Sequence, residues 1–190
     1  RSDGLLGWIE HAPFIDWSPG FTAGNAPQEP DGGSTLLSLL LAQACGWMAQ
    51  LEQHCGYPEL VPRWQTHQQQ LCGASRRYGW NPQRMYLADT SAQTTYSLHA
   101  QVEAVLAQAW PTEQAGTLLQ RALADASLTQ PGSFYYRFYL AQALRQVGAG
   151  EQVWQLFTAW HEALQDSGLT TWPETQRPNP RSDCHAWSVT

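Results

Sequence analysis

The sequence predicts an all-α fold built from antiparallel helical hairpins. Three observations carry this. Apolar residues recur at helical spacing in six segments, Ser, Thr, Gly or Pro signals bound those segments, and no period-2 alternation runs beyond four residues. Strands are therefore expected to be marginal.

Residues 1–33 carry four Pro and six Gly, with Trp8, Phe14, Trp17 and Phe21 between them, and read as an ordered lead-in loop. Ser34 is placed as an N-cap for a first helix whose wide apolar face includes Leu36, Leu37, Leu40, Ala44, Trp47 and Leu51. Gly56 and Pro58 break it. A second helix is expected from about Glu59 to Ser75, with Leu60, Val61, Trp64 and Leu71 inward and Gln68, Gln69 and Gln70 outward. After an irregular stretch, Tyr78 to Thr90, a third helix fits Thr94 to Ala109 and a fourth starts near Thr112, with Leu118, Leu119, Ala122 and Leu123 on its face. A fifth spans Ser133 to Val147. The sixth, Glu151 to Ser167, is expected to bury Val153, Trp154, Phe157, Trp160 and Leu164 before Gly168 closes it. Short turns then alternate with long loops, which makes three hairpins over 34–167 and leaves 168–190 as a loop segment. The helix starts have no fixed period, which disfavours a regular repeat array.

The composition narrows the function. The chain has 190 residues, a formal charge of −6, ten Trp, 21 Gln and no Lys, so that all ten basic residues are Arg. Phosphate binding needs concentrated positive charge, so a nucleic-acid surface is not expected. No apolar run approaches the ~18–20 residues of a membrane span. Cys45, Cys55, Cys72 and Cys184 are dispersed without a Cys-x-x-Cys pair. They read as buried thiols rather than bridges or zinc ligands, which favours a cytoplasmic setting over a secreted one. An aromatic-rich, mildly acidic chain suits a neutral ligand.

Chemistry-bearing residues concentrate in the loops. Phe14-Ile15-Asp16-Trp17 lies in the first, Trp80 to Asp89 in the second, and the last segment holds Trp172, Glu174, Asp183, His185 and Trp187. Carboxylates beside indoles suit carbohydrate work, because sugar C–H faces stack on Trp and hydroxyls hydrogen-bond to Asp, His and Arg. By themselves these residues also fit packed turns with a solvated Glu and a structural His. No nucleophile elbow, phosphate loop or metal-binding helix is present. Of the tryptophans, Trp47, Trp64, Trp154 and Trp160 are assigned to the core; Trp17 and Trp172, with Trp80 and Trp187, are placed to meet a sugar.

Thr170-Thr171-Trp172-Pro173-Glu174, followed by Arg181-Ser182-Asp183-Cys184-His185-Ala186-Trp187-Ser188, resembles the C-terminal signature of the α-L-rhamnosidases of glycoside hydrolase family 78. Phe14-Ile15-Asp16-Trp17 is similar to that family's Asp-Trp loop. Leu87-Ala88-Asp89 with Tyr96-Ser97-Leu98-His99-Ala100 resembles its segment entering an inner helix, and Phe134 to Leu140 its penultimate hairpin. The resemblance implies about half of an (α/α)6 barrel and inverting hydrolysis of terminal α-L-rhamnosides, with two carboxyls about 6.5–9.5 Å apart to admit a water. Carried over, Glu174 matches the general base, His185 a sugar-binding histidine, Trp17 and Trp172 pocket aromatics, and Asp16 a further substrate contact. No metal or cofactor is implied.

The family's acidic motif upstream of the Asp-Trp loop has no match in residues 1–13, and the chain ends before the family's closing helix. Both ends read as truncated, so the isolated chain is expected to turn over an aryl rhamnoside poorly or not at all. Oligomerisation, or complementation by an N-terminal half, is expected to cover the end hairpins. Two other readings stay open: a non-catalytic helical module that binds sugars or proteins, and a six-hairpin glycosidase of different sugar specificity.

Overall fold

The computed structural model describes residues 1–11, 13–175 and 184–189. It is mostly helical, with six α-helices in the predicted order: α1 Thr35–Cys55, α2 Val61–Gly79, α3 Leu98–Leu106, α4 Thr112–Leu123, α5 Phe134–Gln146 and α6 Val153–Ser167. Helices α1 and α2, α3 and α4, and α5 and α6 pack pairwise, and α3 also packs on both α1 and α5. The first helices of the three pairs thus form one layer. Strand structure is limited to two antiparallel pairs, β1 Leu6–Gly7 with β2 Gly32–Ser34 and β3 Trp80–Asn81 with β4 Tyr86–Leu87. The first pair closes the lead-in loop onto the start of α1.

Local chemistry sets the ends of these helices. Ser34, Ser97 and Ser133 are N-caps whose side chains accept from Leu37 N, Ala100 N and Tyr136 N, and Gly56 and Gly168 close α1 and α6 in the left-handed conformation. The third helix starts at Leu98 rather than Thr94. The Thr95 carbonyl accepts from Asp89 N, which holds that stretch extended until Ser97 caps the helix.

The main core gathers Leu36, Leu39 and Ala42 of α1, Leu98, Val102 and Val105 of α3, Leu119 and Ala122 of α4, and Tyr136, Leu140 and Leu144 of α5. Ile15, Phe21 and Ala26 of the lead-in loop join it, and a smaller cluster forms where Phe134 meets Ala159, Trp160 and Ala163.

The tryptophan assignment needs correction. Trp160 is buried and Trp64 half-buried, but Trp47 is 55% and Trp154 71% exposed, and Phe157 is exposed beside Trp154. Their helical spacing is right, but no described element covers that face. Gln68 is half-buried and donates to the Ala107 carbonyl, instead of pointing into solvent with Gln69 and Gln70. All four cysteines are free thiols; Cys45 and Cys72 are buried as expected, whereas Cys55 and Cys184 are exposed. Burial pushes the Cys72 thiol up to about 11. Among the described residues, no helix is long and apolar enough to cross a membrane, and no group of three potential metal ligands occurs.

Leu119 is fully buried and docks α4 on the core. Leu119→Ala is expected to cost about 2–5 kcal/mol, read as a lower urea midpoint with an unchanged slope.

Candidate active site

The three N-caps share an end of the molecule because the loop leaving each hairpin returns to the start of that hairpin's neighbourhood and closes on a helix N-terminus. The unpaired N–H of Thr35 donates to the Asp89 carbonyl at 2.9 Å, that of Leu98 to the Thr129 carbonyl at 2.9 Å, and that of Phe134 to the Glu174 carbonyl at 3.2 Å. Single β-bridges Ser34–Thr90, Ser97–Thr129 and Ser133–Thr175 accompany them. Glu174 is thereby fixed over the first turn of α5.

Next to it lies a cavity of about 580 Å³ bordered by Phe14, Trp17, Ser133, Tyr135, Glu174, His185 and Trp187. The Glu174 side chain is only 7% exposed. Its Oε1 accepts from the Trp17 indole Nε1 at 2.6 Å and lies 3.6 Å from His185 Nε2, while Oε2 has no hydrogen-bond partner among the described residues. His185 is placed by its backbone N–H, which donates to the Trp172 carbonyl at 2.8 Å, and by Ser188, whose N–H donates to the His185 carbonyl at 3.0 Å. The Trp160 indole N–H donates to the Ser188 carbonyl at 2.7 Å, anchoring this short segment on α6. Phe14 meets Trp17 edge-on, with ring centroids 5.1 Å apart.

A buried polar network supports this wall. Asp16 Oδ2 accepts from Gly132 N at 2.7 Å and lies 2.9 Å from His99 Nε2; Oδ1 accepts from Ser133 N at 3.1 Å and from the Ser133 hydroxyl. His99 packs between Phe21 and Tyr136, and the Tyr136 hydroxyl donates to Glu103 Oε1 at 2.7 Å. The chain passes so close at Gly132 that a Cβ there would sit 1.9 Å from the Trp17 carbonyl oxygen. Only glycine allows this approach, which sets the Trp17 ring against Glu174. Burial lifts the Glu103 carboxyl to about 7, despite the opposing hydrogen bond from Tyr136.

Of the five residues expected at the site, the structure brings Trp17, Glu174 and His185 together on the cavity. Asp16 and Trp172 are elsewhere. Asp16 is fully buried with both oxygens engaged, so it positions Trp17 and Ser133 and cannot reach a ligand. Trp172 packs half-buried against the Phe134–Trp160 cluster and contributes its carbonyl to His185. Trp187, 65% exposed, borders the cavity, whereas Trp80 packs edge-on against Trp110 away from it. The Arg181-Ser182-Asp183 part of the signature lies outside the described residues. Sequence reasoning missed the parts played by His99, Gly132, Ser133 and Tyr135. Ser133 was marked only as a helix start, and nothing local distinguishes His99 from a core histidine.

No family model matches the chain, and no curated protein matches it in sequence. Solved structures do match. A GH78 family rhamnosidase of Bacillus sp. GL1 is similar to the whole chain, with a TM-score of 0.83 and 22% identity. A rhamnosidase from Klebsiella oxytoca with rhamnose bound is similar to 92% of it, with a TM-score of 0.75 and 22% identity. This chain spans only 21% of the first of those proteins and 34% of the second. At that identity the likeness is one of fold.

The Glu103 carboxyl ionises near 4.5 when unfolded and near 7 when folded. Between those values the folded state keeps a proton that the unfolded state releases, so stability falls as pH rises through the window, by about 3 kcal/mol in all. Glu103→Gln is expected to flatten this fall, measured as urea midpoints at about pH 5 and about pH 7.5.

Proposed function

We propose that this chain is part of an inverting α-L-rhamnosidase-type glycoside hydrolase, in which its three hairpins form about half of an (α/α)6 barrel and supply the base side of the pocket. The observation that carries the reading is the Glu174 carboxylate on an aromatic cavity, with one oxygen held by Trp17 and the other without a hydrogen-bond partner among the described residues. The fold likeness to rhamnosidases and the order of the sequence motifs support it.

The chemistry follows from those groups. Glu174 Oε2 takes a proton from a water as its oxygen attacks the anomeric carbon from the face opposite the leaving group. The Trp17 N–H fixes the plane of the carboxylate, and His185 hydrogen-bonds a ring hydroxyl. Phe14, Tyr135 and Trp187 offer apolar surface to the C–H face and methyl group of a 6-deoxyhexose. Glu174 is the one carboxylate bordering the cavity among the described residues, so the acid that protonates the leaving oxygen comes from another segment. The reaction calls for no metal or organic cofactor.

Calorimetric titration with L-rhamnose tests the pocket: the chain is expected to bind it, and Trp17→Ala to weaken binding by about tenfold or more. In the protein that also carries the acid, Glu174→Gln should lower kcat on an aryl α-L-rhamnoside about 10²–10⁴-fold, with β-L-rhamnose as the first anomer seen by proton NMR. Undiminished turnover in Glu174→Gln would remove Glu174 as the base. Rhamnose binding that survives without any turnover would favour the binding-module reading.

A further inference from the structure

His185 meets Glu174 through Nε2, and its other ring nitrogen, Nδ1, lies 3.4 Å from the Ser188 hydroxyl. Ser188 is fully buried in the short 3-10 turn Ala186–Val189. Its backbone is fixed on both sides: its N–H donates to the His185 carbonyl at 3.0 Å, and its carbonyl accepts from the Trp160 indole at 2.7 Å. His185 Nδ1 is the one hydrogen-bond partner of the Ser188 hydroxyl among the described residues. Three groups therefore stand in a row, the Ser188 hydroxyl, the His185 ring and Glu174 Oε1, with separations of 3.4 and 3.6 Å. Both are longer than finished hydrogen bonds, and contacts of this kind often tighten only when substrate binds.

The row has a direction. A buried hydroxyl proton left unpaired costs about 1–3 kcal/mol, and Nδ1 is the acceptor within its reach. A neutral imidazole that accepts at Nδ1 carries its own proton on Nε2, where it faces Glu174 Oε1. The opposite tautomer would set the Nε2 lone pair against a carboxylate oxygen and leave the serine proton without an acceptor.

We infer that Ser188 is a positioning residue for the base proposed above: it holds His185 as the Nε2–H tautomer. His185 then presents a donor to Glu174 Oε1, and the sugar hydroxyl it meets has to accept. Oε1 lies between two ring donors, the Trp17 Nε1–H at 2.6 Å and the His185 Nε2–H, which directs the proton taken from water to Oε2. The catalytic meaning rests on the reading of Glu174 as the base; the tautomer does not.

Nitrogen-15 NMR of the histidine rings tests the tautomer, at about pH 8, where ordinary imidazoles are neutral. The His185 signals are identified by their loss in His185→Gln. The ring proton is expected on Nε2, with Nδ1 as an acceptor that Ser188→Ala moves downfield, to the position of an acceptor without a donor. The Trp160 indole N–H should keep its position in that variant, because its acceptor is a backbone carbonyl. In calorimetry, Ser188→Ala is expected to weaken L-rhamnose binding about three- to tenfold, and to change nothing further when His185 is already Gln. The assignment is overturned if the proton sits on Nδ1, if Ser188→Ala leaves the Nδ1 resonance where it was, or if its effect on affinity persists in the His185→Gln background. A chain that shows the Nε2–H tautomer yet binds no rhamnose counts against the function proposed for the cavity. Rhamnose binding with the proton on Nδ1 removes the role of Ser188 and leaves Glu174 standing.

Discussion

Each hairpin closes through the same hydrogen bond, from the first N–H of a helix to a loop carbonyl. Helix N-termini leave donors unpaired. Here Ser34, Ser97 and Ser133 satisfy one donor each, and the carbonyls of Asp89, Thr129 and Glu174 satisfy another. The loops are thereby drawn to one end of the helical layer. The same closure also gives Asp89 and Glu174 comparable positions with opposite fates. Asp89 is covered by the next helix start, where Ser97 donates to it at 2.5 Å, and burial raises its pKa above the usual carboxylate range. Glu174 meets Trp17 and His185 instead and keeps one oxygen toward a cavity.

The precision of that cavity comes from polar groups sealed inside the protein. Asp16 ties the lead-in loop to the turn before α5 and to His99 of α3, so that three separate parts of the chain meet at one carboxylate. Such a network holds a geometry only while every member is satisfied. Asp16 meets that condition with both oxygens engaged, whereas His99 Nδ1 and Glu103 Oε2 are buried without partners among the described residues. Within this network the unpaired buried atoms thus lie on His99 and Glu103, while the carboxylate that holds the turn before α5 is fully engaged. Gly132 completes the arrangement by letting two backbones approach more closely than any side chain would permit.

Helical periodicity proved a reliable guide to where a helix runs and an unreliable one to whether its apolar stripe is covered. Leu36, Val102, Leu119 and Leu144 lie on stripes that face other helices and are buried. Trp47 and Trp154 lie on stripes of the same spacing and are exposed, because burial depends on a neighbour that the spacing does not describe. The glutamines show the converse. Gln43 and Gln68 read as surface residues by type, yet one is buried and the other holds a backbone carbonyl of the α3 end.

The sequence by itself determined the six helices and their pairing into hairpins, and it singled out Trp17, Glu174 and His185 in the loops, which the structure places on one cavity. These follow from local signals: a serine cap, a left-handed glycine, a period of 3.6, and clusters of aromatic and ionisable residues between helices. Only the tertiary structure decided that Asp16 is a buried clamp, that Trp172 packs on α6, and that His99, Gly132, Ser133 and Tyr135 belong to the site or its support. Asp16 meets Ser133 across 117 positions of chain, and Trp17 meets Glu174 across 157. At such separations a residue's role is fixed by what the fold brings against it, which no local pattern encodes.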